Sequence, residues 1–214
     1  MDDAIDKAER VRRVAIALAA MSQTGLEFTV NEYDRHRYTE AGALAAELLS
    51  VLSGLTADEL SLELGRDVGY ATPKVDVRGA IFDADERVLL MRERSDGRWS
   101  LPGGWADPLD TPSAAVVREI REETGYGAAV VSLVGCWDRD TQGHVPALPV
   151  SVYKLFFLCR LEGDAVEPEA LETLEVGWFG LSELPELSLG RVNLREIQRC
   201  LAHHRDPSLP TELD

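Results

Sequence analysis

The chain has 214 residues, of which 45% are hydrophobic and 28% charged, the make-up of a globular protein with room for one large domain or two small ones. Its formal net charge of −16 argues against a general nucleic-acid binder, because affinity for a phosphate backbone comes from basic surface. No apolar run is long enough to span a bilayer, and the short run Val14 to Met21 leads to no clear Ala-x-Ala site, so neither a membrane span nor a secretory signal is expected.

Residues 1–68 read as a small helical domain. Ile5, Ala8, Val11, Ala15 and Leu18 or Ala19 recur at helical spacing, and Gly25 is expected to break this first helix. A second helix is predicted from about Asp34 to Leu52, ending near Gly54. A third starts at Thr56, an N-cap with Glu59 three residues on, and ends at Gly65. The region holds 13 acidic and 7 basic residues, a net of −6, which does not suit a DNA-reading helix. A helical region this small has little core of its own, so it is expected to pack on the next domain or on a second subunit.

Composition shifts at Gly69-Tyr70-Ala71-Thr72-Pro73, and residues 69–206 are predicted to form a second domain. From Lys74 to Phe82 polar and apolar residues alternate, with Val75, Val77 and Ile81 on one face. A turn at Asp83 to Glu86 precedes a second strand from Arg87 to Arg92. The loop from Asp96 to Ser100 leads into Leu101-Pro102-Gly103-Gly104. A helix over 112–124 follows: Thr111 fits its N-cap, Pro112 its first turn and Gly125 the position after its end. Strands are predicted at about Ala128 to Cys136, Val150 to Leu161 and Glu175 to Phe179, then a helix from Arg191 to His204 with Leu194, Ile197 and Leu201 on one side. Residues 207–214, with two prolines, are expected to be a loose tail. Strands mixed with two helices indicate an α+β sandwich. Three cysteines, Cys136, Cys159 and Cys200, show no metal-ligand spacing and cannot all pair; Cys159, in an apolar run, reads as a reduced core thiol, and a cytoplasmic location is expected.

The chemistry concentrates in Arg118-Glu119-Ile120-Arg121-Glu122-Glu123-Thr124-Gly125. On a helix Glu119 and Glu123 stand one above the other, with Glu122 beside them. Like charges so placed repel, and a hard divalent cation turns the repulsion into binding. The competing reading is a solvated helix face with an Arg118–Glu122 ion pair. The cap residues and the glycine turn just upstream, where backbone can approach a ligand closely, favour a metal site for phosphate chemistry.

Gly104, five residues, Asp110, seven residues, Arg118-Glu119-Ile120, one residue, Glu122-Glu123, one residue, Gly125-Tyr126 resembles the Nudix box, a signature of 23 positions with fixed gaps. Two positions depart from it: Asp110 stands where glutamate is usual, and Leu109 where glycine is common. The stretches from Gly69 to Arg78, from Asp96 to Asp107 and from Val152 to Cys159 resemble one Nudix subgroup. That subgroup carries an N-terminal helical domain like the segment Gln23 to Tyr38 and hydrolyses nucleoside diphosphates linked to another moiety.

The resemblance implies a Nudix α/β/α sandwich with a small N-terminal helical domain, often a homodimer. It implies a Mg²⁺ or Mn²⁺ shell from Glu119, Glu122, Glu123 and the backbone carbonyl of Gly103, with Arg118 orienting a glutamate. A general base is expected on a loop beyond the box, at Glu172 or Glu175. Arg78 and Arg92 are candidates for binding substrate phosphate, and Asp138 for bordering the substrate. Trp99 and Trp105 are expected in the core. CDP-choline, cleaved to CMP and phosphocholine, is the first substrate expectation and ADP-ribose the second. From another class, a ligand-sensing transcriptional regulator is the alternative, and a weak activity on RNA ends a third. No stable nucleic-acid complex and no membrane partner is expected.

Overall fold

The computed structural model describes residues 2–163 and 173–214. It contains two compact units, one of Met1–Pro73 with Leu148–Ser151, the other of Lys74–Ala147 with Val152–Asp214.

The first unit is built from α1 (Asp2–Phe28), α2 (Glu32–Leu52) and α3 (Ala57–Leu64). Contrary to expectation, α1 runs straight through Gly25. A single glycine weakens a helix without ending it, and here it makes room. A Cβ at Gly25 would lie 2.4 Å from carbons of the Tyr38 ring on α2. Reciprocally, Gly42 on α2 faces Ser22 of α1, whose hydroxyl donates to the Tyr38 carbonyl at 2.6 Å. The predicted capping box of α3 is present: Thr56 Oγ1 accepts from the Glu59 amide, and the Glu59 carboxylate accepts from the Thr56 amide at 2.8 Å. The unit's buried core is small, centred on Ala15, Ala46, Leu49 and Leu60.

The second unit holds two sheets. One has the order β1 (Lys74–Ile81), β5 (Val152–Leu161), β4 (Ala128–Asp138), β7 (Glu212–Leu213); the other has β3 (Trp99–Ser100), β2 (Val88–Glu93), β6 (Thr173–Phe179). β1 and β5 run parallel, and β4 and β5 antiparallel. β1 is buried on both faces. Val77 and Ile81 join a core with Ala115, Val116 and Ile120 of α4 (Pro112–Thr124). Ala80 and Phe82 join another with Ile197, Cys200 and Leu201 of α5 (Leu194–Arg205). Sheets thus lie between helices, as the α+β sandwich expectation requires.

Several expectations change. Alternation predicted one apolar face for β1, but helices cover both. Leu194 opens α5 at its exposed end, while Asn193 and Glu196 form a capping box there. Trp99, in a short strand, packs with Phe179 against a buried core, whereas Trp105 is 51% exposed. The expected loose tail ends in β7, which pairs with Gly135 and Cys136 of β4. Side-chain bonds fix it there: Thr211 donates to the Leu133 carbonyl, and Asp214 accepts from the Asp138 amide at 2.7 Å. Cys159 is buried and free, with its thiol pushed up to about 12 by burial. Among the described residues, no helix is long and apolar enough to cross a membrane.

Candidate active site

α4 forms where its caps predict. Thr111 accepts from the Ala114 amide at 3.2 Å, Pro112 opens the helix, and Gly125 closes it in the left-handed region at φ 74°. The helix sits tightly on β1, because Gly79 leaves room for Ile120: a Cβ there would lie 2.6 Å from its Cδ1.

β1 also holds the glycine turn. The Gly79 amide donates to the Pro102 carbonyl at 2.9 Å, and the Val77 amide to the Gly104 carbonyl at 2.8 Å. Gly103 lies between these anchors at φ 141°, and a Cβ there would stand 2.0 Å from the Val77 carbonyl oxygen, so no other residue fits this backbone. Its amide donates to Glu123 Oε2 at 2.7 Å. Gly104 faces Glu119, since a Cβ there would be 3.3 Å from Glu119 Oε2. Turn and helix therefore meet at two of the three predicted glutamates.

Arg118 gathers the acids around it. Its Nη1 donates to Glu119 at 2.9 Å and to Glu122 at 3.1 Å, its Nε donates to Asp110 at 3.2 Å, and its Nη2 lies 3.4 Å from Asp107. Asp110, the unusual box residue, thus reaches the same guanidinium as the helix glutamates. Burial pushes Glu123 up to about 8, opposed by the Arg78 charge and the Gly103 amide and reinforced by Glu119 and Glu93. Burial also raises Glu119, against the pull of Arg118. Burial lowers the Arg118 pKa, but its carboxylate partners outweigh that and hold it firmly charged.

Among the described residues, no three His, Cys, Asp or Glu groups stand gathered as a ready metal cluster. The reason is visible in the hydrogen bonds: Glu119 and Glu122 lean to Arg118, and Glu123 to Gly103. The donor chemistry nevertheless fits a hard divalent cation. All donors are oxygens, and burial has raised the two carboxylates nearest the turn, a penalty that a cation relieves.

Residues 72–199 match the family model described as the NUDIX domain, and residues 9–62 match a UDP-X-like, N-terminal oligomerisation domain. The chain belongs to the Nudix family. It is 34% identical over 210 residues to the putative ADP-ribose pyrophosphatase YjhB of Bacillus subtilis, covering 98% of this chain and 96% of that one. Among solved structures, a UDP-X diphosphatase is similar over 97% of this chain and 99% of its own, with 29% identity and a TM-score of 0.60. An ADP-ribose pyrophosphatase from Streptococcus suis is 38% identical, also with a TM-score of 0.60, covering 67% of this chain and all of its own. The protein is thus an enzyme of the Nudix hydrolases, which cleave pyrophosphate bonds.

Other expected site residues fall differently around this Nudix site. Arg78, expected to bind substrate phosphate, is 4% exposed, and its guanidinium is committed. Nε and Nη2 pair with Asp76, and Nη1 donates to Ser100 Oγ and the Leu101 carbonyl. It underlies the turn and does not face solvent. Arg92 is exposed, donating to the Gly97 carbonyl at 2.8 Å and lying 3.7 Å from Glu175. Asp138 caps a 3₁₀ turn at Arg139–Gln142, accepting from the Asp140 amide. None of these partners is a box glutamate or a residue of the glycine turn. Glu172 lies outside the described residues.

Sequence reasoning missed Glu93 and Lys154. Glu93, at the end of β2, is buried and pairs with Arg191 at 2.8 Å. Lys154, in the apolar run of β5, is buried against Asp76 at 2.7 Å. A lysine inside so apolar a strand was the available signal, since such a residue is almost never fully buried unless paired.

Proposed function

We propose that this Nudix hydrolase cleaves the pyrophosphate of a nucleoside diphosphate linked to a second moiety, with ADP-ribose the first substrate to test. The observation that carries the site assignment is the meeting of the Gly103 amide with Glu123, on the helix that bears two further glutamates. Glu119, Glu122, Glu123 and the Gly103 carbonyl are assigned to hold Mg²⁺, with Mn²⁺ as substitute. When bound, the ion supplies charge neutralisation on the pyrophosphate oxygens and a lowered pKa for the attacking water. Arg118 orients Glu119 and Glu122 through its shared Nη1. The Gly103 amide fixes one oxygen of Glu123 and leaves the other free to serve as donor. Glu172 is assigned as the proton acceptor on sequence position alone.

The names of the relatives support ADP-ribose or a UDP-linked compound ahead of CDP-choline, the first expectation from sequence. Incubation of the purified protein with ADP-ribose, UDP-sugars and CDP-choline in Mg²⁺ or Mn²⁺, with products identified by mass spectrometry, tests this. Release of AMP and ribose 5-phosphate is the expected result. Failure to release a nucleoside monophosphate from any member of the panel would overturn it.

The first unit is assigned as a homodimer contact. It matches an oligomerisation model, and Val14, Met21 and Phe28 stand exposed at seven-residue spacing along α1. Apolar side chains repeating every seven residues fall on one helix face, the seam that paired helices share. Light scattering of Val14→Asp/Met21→Asp should show a monomer; a dimer of wild-type mass would remove α1 from the interface.

A further inference from the structure

We infer that Lys154 and Asp76 are positioning residues of the active site, acting through Arg78 on the turn that carries Gly103. The register of the parallel pair sets Asp76 directly beside Lys154. Lys154 Nζ donates to Asp76 Oδ1 at 2.7 Å. The same carboxylate takes both prongs of Arg78, from Nε at 3.0 Å and from Nη2 at 2.8 Å. The remaining arm of Arg78 donates to Ser100 Oγ at 3.3 Å and to the Leu101 carbonyl at 3.2 Å. The chain of bonds therefore runs from the first part of β5, through β1, to the two residues directly before Pro102-Gly103-Gly104.

All three charged residues are buried, Lys154 at 1%, Asp76 at 6% and Arg78 at 4% exposure. Burying charges is costly, and a hydrophobic pair of similar volume often serves stability as well or better. What this network adds is direction. A guanidinium with two of its nitrogens fixed on one carboxylate has a defined plane, so its third nitrogen has a defined aim. That aim satisfies the buried Leu101 carbonyl, while the amides of β1 take the carbonyls of Pro102 and Gly104 on the far side. The turn is gripped before and after Gly103, the residue whose amide meets Glu123. Lys154 touches nothing in the site; it neutralises and orients Asp76, which orients Arg78. The inference rests on the reading of Gly103 and Glu123 as part of the metal shell.

The test uses Lys154→Met, which keeps the stem and removes the ammonium, and Arg78→Lys, which keeps the charge and loses the fork. Each is expected to lower kcat about tenfold or more, the scale of supporting-residue effects at metal sites. KM for substrate should stay within about threefold, since the losses arise at the chemical step. The double variant should be no slower than about the slower single, because both break one chain. Amide hydrogen exchange over residues 99–106 should quicken in both variants, with residues 194–205 unchanged. Unchanged exchange over 99–106, or kcat losses that multiply in the double variant, would overturn the inference. A wild-type protein without turnover would defeat the hydrolase reading alone, and the exchange comparison would still decide this one. Should Lys154→Met fail to fold, Asp76→Asn/Lys154→Met replaces the pair with neutral groups and is read by the same exchange measurement.

Discussion

The carboxylate of Glu123 accepts the backbone amide of Gly103 at 2.7 Å, joining the end of α4 to the glycine turn in a buried setting. This one bond ties two chain segments whose separate motifs say little about their distance. It also fixes one oxygen of the glutamate most strongly affected by burial.

Replacing Glu119 or Glu123 by Gln should lower kcat by more than about 100-fold, beyond the range of supporting residues at metal sites. Circular dichroism should show the fold intact, because each amide keeps the shape of the acid it replaces. Steady-state kinetics in saturating Mg²⁺ checks this, and near-normal turnover would refute the assigned shell.

The raised pKa of Glu123 predicts a pH dependence of stability in chelator-treated protein. Its ordinary value is 4.5 and its folded value about 8. Between those values the folded chain holds a proton that the unfolded chain has released, so stability falls as pH rises. Asp76, held near 2 against burial by Arg78 and Lys154, is ionised throughout this window and does not contribute to the slope. Melting temperature should drop by roughly 5 °C from pH 5 to pH 8, as a loss of one to a few kcal/mol dictates. Glu123→Gln should show a clearly shallower slope, part of which Glu119 retains. Calorimetry across this range would expose identical slopes, which would count against the assignment.

Gly103→Ala should be damaging out of proportion to its size. The added carbon meets the Val77 carbonyl oxygen, a backbone atom that cannot swing aside. A destabilisation of about 2–4 kcal/mol is expected, in the range of substitutions that strain a special backbone conformation. Urea unfolding and kinetics should show both stability and activity lost together.

Leu109→Gly should do the opposite. Leu109 has φ 78° and a fully exposed side chain, so it bears the cost of the left-handed region with no packing in return. Relief of that strain, partly offset by the greater freedom of glycine in the unfolded chain, should stabilise the protein by about 0.5–1 kcal/mol. A denaturant midpoint that does not rise would show the strain to be absent.

What was legible in the sequence depended on locality. The caps of α3 and α4 were readable because Thr56 with Glu59, and Thr111 with Gly125, settle their bonds within a few residues. The placement of Glu119, Glu122 and Glu123 on one helix was readable for the same reason, through fixed helical spacing. Arg78 was misread because its partner Asp76 lies two residues away on the same strand face, while burial of that face depends on β5 and the turn. The lysine in an apolar strand hinted that Lys154 is buried and paired, but its partner could not be read, because strand register is a property of two distant segments. The tail was misread because β7 draws its stability from the edge of β4 and from Thr141 and Gln142, none of them near it in sequence.

The reciprocal fit of Gly25 with Tyr38 and of Gly42 with Ser22 gives the first unit a different kind of vulnerability. A helix pair held at close quarters by two absent side chains has no tolerance for growth at those points. A single added methyl at position 25 would act as a wedge against an aromatic ring, where the same methyl on the solvent side of α1 would favour the helix. Positions 25 and 42 are therefore handles for loosening the packing of α1 on α2.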